Sequence, residues 1–191
     1  MKALVLDGSR EGESLTPLAV HGMCLALEGR GAGLEHVKLR ELDLAPCTGC
    51  FGCWTRTPGE CVFKDASRDI VRYYVCSDVV VCATPVTFGG YSSLLKTVID
   101  RTMLPVLDSR FTVIGGEVHH RLRYRRYPRT IGMGTLPSPD PEAERLFAAL
   151  VARNGINVQQ ATESGVVVGV TDPEVTRAFA ERLLDRAGVA P

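Results

Sequence analysis

An excess of charge of either sign is absent from this chain. Its 22 Lys and Arg are matched by 22 Asp and Glu, so no whole-molecule field draws it toward a phosphate backbone or an anionic lipid surface. Neither nucleic acid nor a membrane is an expected partner. No run of about 18 apolar residues occurs, the length a spanning helix needs, and a charge closes the short apolar start at Asp7, so neither a membrane span nor a signal peptide is expected. The cytoplasm is the expected compartment. Two phosphate-binding signatures are missing as well. No Gly-Lys-Ser/Thr follows the first glycine loop, and the G-x-G-x-x-G dinucleotide spacing is absent, so a monophosphate suits the loop better than a triphosphate.

What is present is the composition of a soluble globular protein: 45% hydrophobic and 23% charged residues, with 19 Gly and 11 Pro spread along 191 positions. That length fits one domain, taken as residues 1–191. Lys2 to Asp7 reads as a buried strand that ends at Gly8-Ser9. Thr16 and Pro17 read as an N-cap and first helical residue, with a helix continuing to Gly29. A second strand is expected over Leu34 to Leu42 and a helix from Asp65 or Ser67 to Cys76. Asp78 to Ala83 is the clearest central strand, because its β-branched run is too short for a helix. A helix from Tyr91 to Met103 is expected to end at Pro105. Residues 109–128 are expected as an inserted loop. Strand 129–133, helix 141–153, a strand within 157–170 and helix 173–186 complete the order.

Five alternations of strand and helix predict an α/β fold with a five-stranded parallel sheet, doubly wound with helices on both faces. In such sheets ligands bind beyond the carboxyl ends of the strands, where the strand order reverses, which selects the loops after the first and third strands. The first, Gly8 to Thr16, supplies Ser9, Arg10, Ser14 and Thr16 together with amides at a helix N-terminus, a donor set for a phosphate. Glu11 and Glu13 would oppose an anion there unless they face solvent. The same residues could instead merely satisfy a strand-to-helix turn. The second loop, with Thr84, Pro85, Val86, Thr87, Phe88 and Gly89, combines backbone amides with an aromatic side chain and suits a flat heteroaromatic ring. Phe88 or Tyr91 could cover that ring or could plug the core.

Seven cysteines are unevenly placed. Cys24, Cys76 and Cys82 lie in apolar stretches and read as small buried hydrophobes, whereas Cys47, Cys50, Cys53 and Cys61 follow a C-x2-C-x2-C-x7-C spacing. Those four can ligate a 4Fe-4S cluster or a zinc ion, and two-residue spacings also serve thiol redox pairs and structural turns.

Three stretches together resemble the flavodoxin-like NAD(P)H-dependent FMN oxidoreductases and the related iron-sulfur flavoproteins. They are Gly8 to Thr16, Cys47 to Asp65, and Ser77 to Arg101 with Thr84-Pro85-Val86, Phe88-Gly89, Leu95-Lys96 and Asp100-Arg101. The resemblance implies FMN, its phosphate on Ser9, Arg10, Ser14 and Thr16 and its ring along Thr84 to Gly89, in a homodimer or homotetramer. Many relatives carry an aromatic where this chain has Thr87. The function implied is transfer of electrons from NAD(P)H through FMN to a small acceptor such as a quinone or a flavin, with chemistry at the flavin and no catalytic side chain. One alternative is an iron-sulfur flavoprotein carrying electrons between ferredoxin-like partners; another is a flavin-free, zinc-stabilised interaction protein. The basic segment from His119 to Arg129 reads as surface or interface ahead of a cofactor site, and His119 and His120 as structural.

Overall fold

A computed structural model describes residues 1–190. The chain opens with β1 (Lys2–Asp7), α1 (Leu15–Gly29) and β2 (Gly33–Lys38), followed by a 3-10 turn at Leu39–Glu41. The cysteine segment contains the short α2 (Gly52–Thr55) and leads to α3 (Ser67–Cys76), β3 (Val79–Pro85) and α4 (Ser93–Val106). Next come β4 (Leu107–Ile114), β5 (Glu117–Leu122), β6 (Arg129–Leu136), α5 (Pro141–Val158), β7 (Thr162–Val168) and α6 (Pro173–Arg186).

Five strands form one parallel sheet in the order β2-β1-β3-β6-β7. This is the doubly wound flavodoxin-like order, and the chain reverses direction across the sheet between β1 and β3. Alternation along the strands assigns each face. Ala3, Val5, Val79, Val81 and Ala83 pack against α1 and α6, whereas Leu4, Leu6, Val80 and Cys82 face α3, α4 and Val158 of α5. Both faces of the central strands are apolar because both are covered, which is why β1 and β3 are near-continuous hydrophobic runs.

The structure departs from expectation at several boundaries, each for a local reason. Helix α1 begins at Leu15, so Pro17 is its third residue and Thr16 is not the cap; a first-turn proline forfeits no intrahelical bond. Strand β2 stops at Lys38 and the chain tightens into the 3-10 turn. Pro105 lies inside the last turn of α4 rather than ending it. Helix α5 runs past Arg153 to Val158 and ends where Gln159 turns left-handed at φ 51°.

The largest departure concerns residues 109–128. Instead of a loop, β4 and β5 form an antiparallel hairpin, with Val113 opposite Val118 and Ile114 opposite Glu117. Its turn is Gly115-Gly116, with φ of 59° and 85°, and two consecutive positive-φ glycines match the twist of a two-residue hairpin.

Candidate flavin site

The turn after β1 is fixed from beneath. Asp7, the last residue of β1, is 1% exposed, and its carboxylate accepts the amide of Ser9 at 2.9 Å and the guanidinium of Arg40 at 3.2 Å. His36 Nε2 lies 3.6 Å away. Burial alone would raise this carboxyl, but the hydrogen bonds from His36 and Ser9 and the charge of Arg40 hold it at about 2. Arg40 also donates to the Ser9 hydroxyl, so Ser9, fully buried, braces the turn. The sequence reading missed Asp7, His36 and Arg40. Their meeting depends on the register Asp7↔Lys38, which local pattern does not reveal.

Gly8 binds this turn to the next one. Its amide donates to Ala83 O at 2.8 Å, and its carbonyl accepts the Ser92 hydroxyl at 2.8 Å. A Cβ on Gly8 would lie 2.9 Å from both Ala83 O and Leu95 Cβ, so the close approach of the two loops requires glycine here. Ser92 in turn caps α4 through Leu95 N, and its own amide donates to Thr84 Oγ1 at 2.8 Å. Thr84 is therefore buried structure at the base of the second loop.

Residues Thr87 to Gly90 make a second tight turn, closed by reciprocal backbone hydrogen bonds of 2.9 Å. Phe88 and Gly89 occupy its corners at φ 50° and 73°, and Phe88 stands fully in solvent. Tyr91 does not share that role. It packs edge-on to Phe147 and accepts Asn154 Nδ2 at 3.0 Å, filling the space between α4 and α5. Thr87, where an aromatic was expected by resemblance, accepts the Arg10 guanidinium at 2.9 Å, so Arg10 links the two loops.

Between these turns lies a groove of about 520 Å³, lined by residues 10–15, Pro85, Val86, Thr135 and Pro137. Its size is in the range of small-molecule sites. Arg10 and Ser14 are exposed to it, whereas Thr16 is buried, with Thr135 Oγ1 2.6 Å from its hydroxyl. Glu13, half-buried, turns back onto the loop. Its carboxylate accepts Arg10 N at 3.1 Å, Thr16 N at 3.2 Å and the Thr16 hydroxyl. The loop's own carboxylate thus rests on donors at the start of α1, the place where a helix favours negative charge.

The cysteine segment sits apart from this groove. Cys47, Cys50, Cys53 and Cys61 line a common cavity with Phe51, Phe63, Arg101 and Leu104. Among the described residues no three His, Cys, Asp or Glu side chains are drawn close enough to share a single metal ion. Gly52, Thr48 and Arg56 favour the exposed Cys50 thiolate, whereas burial and the neighbouring Cys61 push the Cys53 thiol up. Arg101, 2% exposed, clamps the segment at both ends: it donates to Ala45 O at 2.6 Å and to both Asp65 oxygens at 2.8 and 2.9 Å. Trp54 Nε1 donates to Leu104 O at 2.6 Å and anchors α2 on α4.

The basic segment is tied to backbone and acids. Arg123 reaches Pro105 O and Leu107 O, Arg126 meets Asp78, and Arg129 reaches Ala187 O. His119 contacts Asn157, and His120 stacks between Trp54 and Phe111 with ring centroids 4.7 Å away on each side.

Residues 1–133 match the model of the NADPH-dependent FMN reductase family. The chain belongs to that family. It is an oxidoreductase family whose flavin is FMN, and the groove lies where its fold places ligands. Similar curated proteins include an iron-sulfur flavoprotein of Methanocaldococcus jannaschii, 32% identical over 102 residues, covering 53% of this chain and 52% of that protein. An iron-sulfur flavoprotein of Archaeoglobus fulgidus is 33% identical over 105 residues, covering 55% of this chain and 46% of that one. The chain spans about half the length of these relatives. Among solved structures, the NAD(P)H:quinone oxidoreductase of Methanothermobacter marburgensis superposes with a TM-score of 0.67 at 11% identity, over 95% of this chain and 96% of that one. An FMN-dependent NADH-azoreductase of Bacillus anthracis, in complex with FMN, gives 0.65 at 13% identity over 98% and 97%. At these identities the likeness is one of fold. No helix among the described residues is long and apolar enough to cross a membrane.

Proposed function

We propose that this chain is an FMN-dependent NAD(P)H oxidoreductase that passes electrons to a small acceptor such as a quinone or a flavin. The observation that carries the reading is the groove between the turns after β1 and β3, at the reversal of strand order, with an anion-binding donor set at one end and an exposed aromatic turn at the other. Arg10, Ser14 and the amides of the first loop would hold the FMN phosphate, braced by Ser9 and Thr16. Pro85 to Gly89 would lie along the ring, with Phe88 available to cover it. FMN supplies the chemistry when bound, accepting a hydride from nicotinamide and releasing electrons to the acceptor. The chain's share would be to bind, orient and polarise: the second-loop amides not already bonded within the protein, those of Phe88 and Gly89, would stabilise negative charge on the ring as preorganised dipoles.

A second reading has its own support. Cys47, Cys50, Cys53 and Cys61 line one cavity on a segment clamped by Arg101, and their C-x2-C-x2-C run resembles the three-ligand run of cluster ferredoxins. With a cluster there, the chain is an electron carrier between ferredoxin-like partners. Assembly as a homodimer or homotetramer is supported by Phe111, Val113 and Val118, exposed together on one face of the hairpin. Seven unpaired cysteines suit the cytoplasm.

Anaerobic purification, a visible spectrum before and after NADPH, and iron and zinc analysis of the same sample separate these readings. A flavin spectrum that bleaches with NADPH and carries no iron supports the reductase. Stoichiometric iron with broad absorbance supports the carrier. A colourless protein that takes up no FMN overturns both.

A further inference from the structure

We propose that Glu13 is a specificity-determining residue that competes with the flavin phosphate, so that the site holds FMN loosely, exchanges it, and discriminates little between FMN and unphosphorylated riboflavin. The inference rests on the flavin-site reading above and deepens it, because a flavin that leaves after reduction is itself the acceptor.

The argument is one of shared donors. Glu13 Oε2 takes the Arg10 amide and Glu13 Oε1 takes the Thr16 amide and hydroxyl. These are the groups at the head of α1 on which an incoming phosphate has to settle, and Pro17 adds no N–H to the first turn. The side chain is built into the loop: the Glu13 amide donates to Arg10 O at 3.3 Å, closing a turn that returns the carboxylate over those donors. Arg10 N, Thr16 N and the Thr16 hydroxyl are therefore not vacant for a phosphate. It must first displace a carboxylate making charge-assisted hydrogen bonds, and then share the groove with it. Riboflavin leaves the carboxylate in place and loses nothing by lacking a phosphate. Glu11, also on the groove but exposed and without a hydrogen bond to the loop, has the same charge and no donors to withhold. It serves as the internal control.

The test is equilibrium binding of FMN and of riboflavin, followed by quenching of flavin fluorescence, to wild type, Glu13→Gln, Glu13→Ala and Glu11→Gln. Thermal unfolding of each variant verifies that it is folded. The expected result is that both Glu13 variants bind FMN about 10-fold or more tightly than wild type, in line with the strength of a charge-assisted bond. Their riboflavin affinity should stay within about 3-fold of wild type, and Glu11→Gln should change FMN affinity far less than Glu13→Gln. Glu13 as a mere brace predicts the opposite: both flavins weaken in the Glu13 variants, which overturns the proposal. Equal tightening of FMN by Glu11→Gln and Glu13→Gln also overturns it, since that is general charge repulsion. If neither flavin binds wild type or any variant, the flavin-site reading falls and the proposal with it. Binding of both flavins with FMN unaffected by Glu13 sinks the proposal alone.

Discussion

The first loop, 8–16, and the cysteine segment, 47–61, are both irregular backbone next to chemistry-bearing side chains, yet they are held in opposite ways. The first is short and grows out of a buried strand. Its amides and hydroxyls are bound to Asp7, Ala83, Glu13 and Thr135, so the parallel sheet itself sets its shape. The second is long and is held by side chains: Arg101 of α4 at its flanks, its own Trp54 on Leu104 O, and Arg68 of α3 on Cys61 O. A loop fixed by backbone topology tolerates the loss of a side chain; one fixed by a buried guanidinium does not.

Replacing Arg101 with Met gives the largest expected effect. It removes the buried guanidinium and leaves the half-buried Asp65 without its ion pair, at a cost of about 3 kcal/mol, the low end for breaking a buried pair. Hydrogen exchange should accelerate through 45–65 while residues 8–16 keep their protection; equal loss in both regions would erase the contrast. Next comes the response to acid. Asp7 is held at about 2 against an ordinary 3.8, a depressed value, so its stabilisation is complete above about pH 4 and is lost as pH falls through about 2. The amount is about 2.5 kcal/mol at about 1.4 kcal/mol per pH unit, and Asp7→Asn should remove that part of the pH dependence of the unfolding midpoint. A smaller effect should be seen with Gly8→Ala. The added methyl meets Ala83 O and Leu95 Cβ at 2.9 Å, and overpacking of this kind costs about 2 kcal/mol in a denaturant titration. Smallest is Phe88→Ala, expected to change stability by less than about 0.5 kcal/mol because the ring buries nothing in the free protein.

The same contrast explains what could be read from the sequence. Strands β1 and β3 were legible because burial on both faces writes an unbroken apolar run, and α6 because Asp172 and Pro173 punctuate its start as the cap rules require. The hairpin carried a signal that went unused: Gly115-Gly116 flanked by Thr112-Val113-Ile114 and Val118. The two site loops could be placed by topology, but the partners within them could not. Arg40 reaches Ser9 only through strand register, Glu13 turns inward because Arg10 and Thr16 present amides to it, and Arg101 meets Asp65 across the chain. Such contacts join residues whose local sequences contain no trace of one another.

The hairpin also differs from the sheet in how local its contacts are. Its closing contact spans only a two-residue turn, a microsecond process, whereas β1, β3 and β6 must find partners far along the chain before the sheet exists. Trp54 packs on His120 of this local ribbon, so part of the cysteine segment's seat is made by contacts of short sequence range within 107–122.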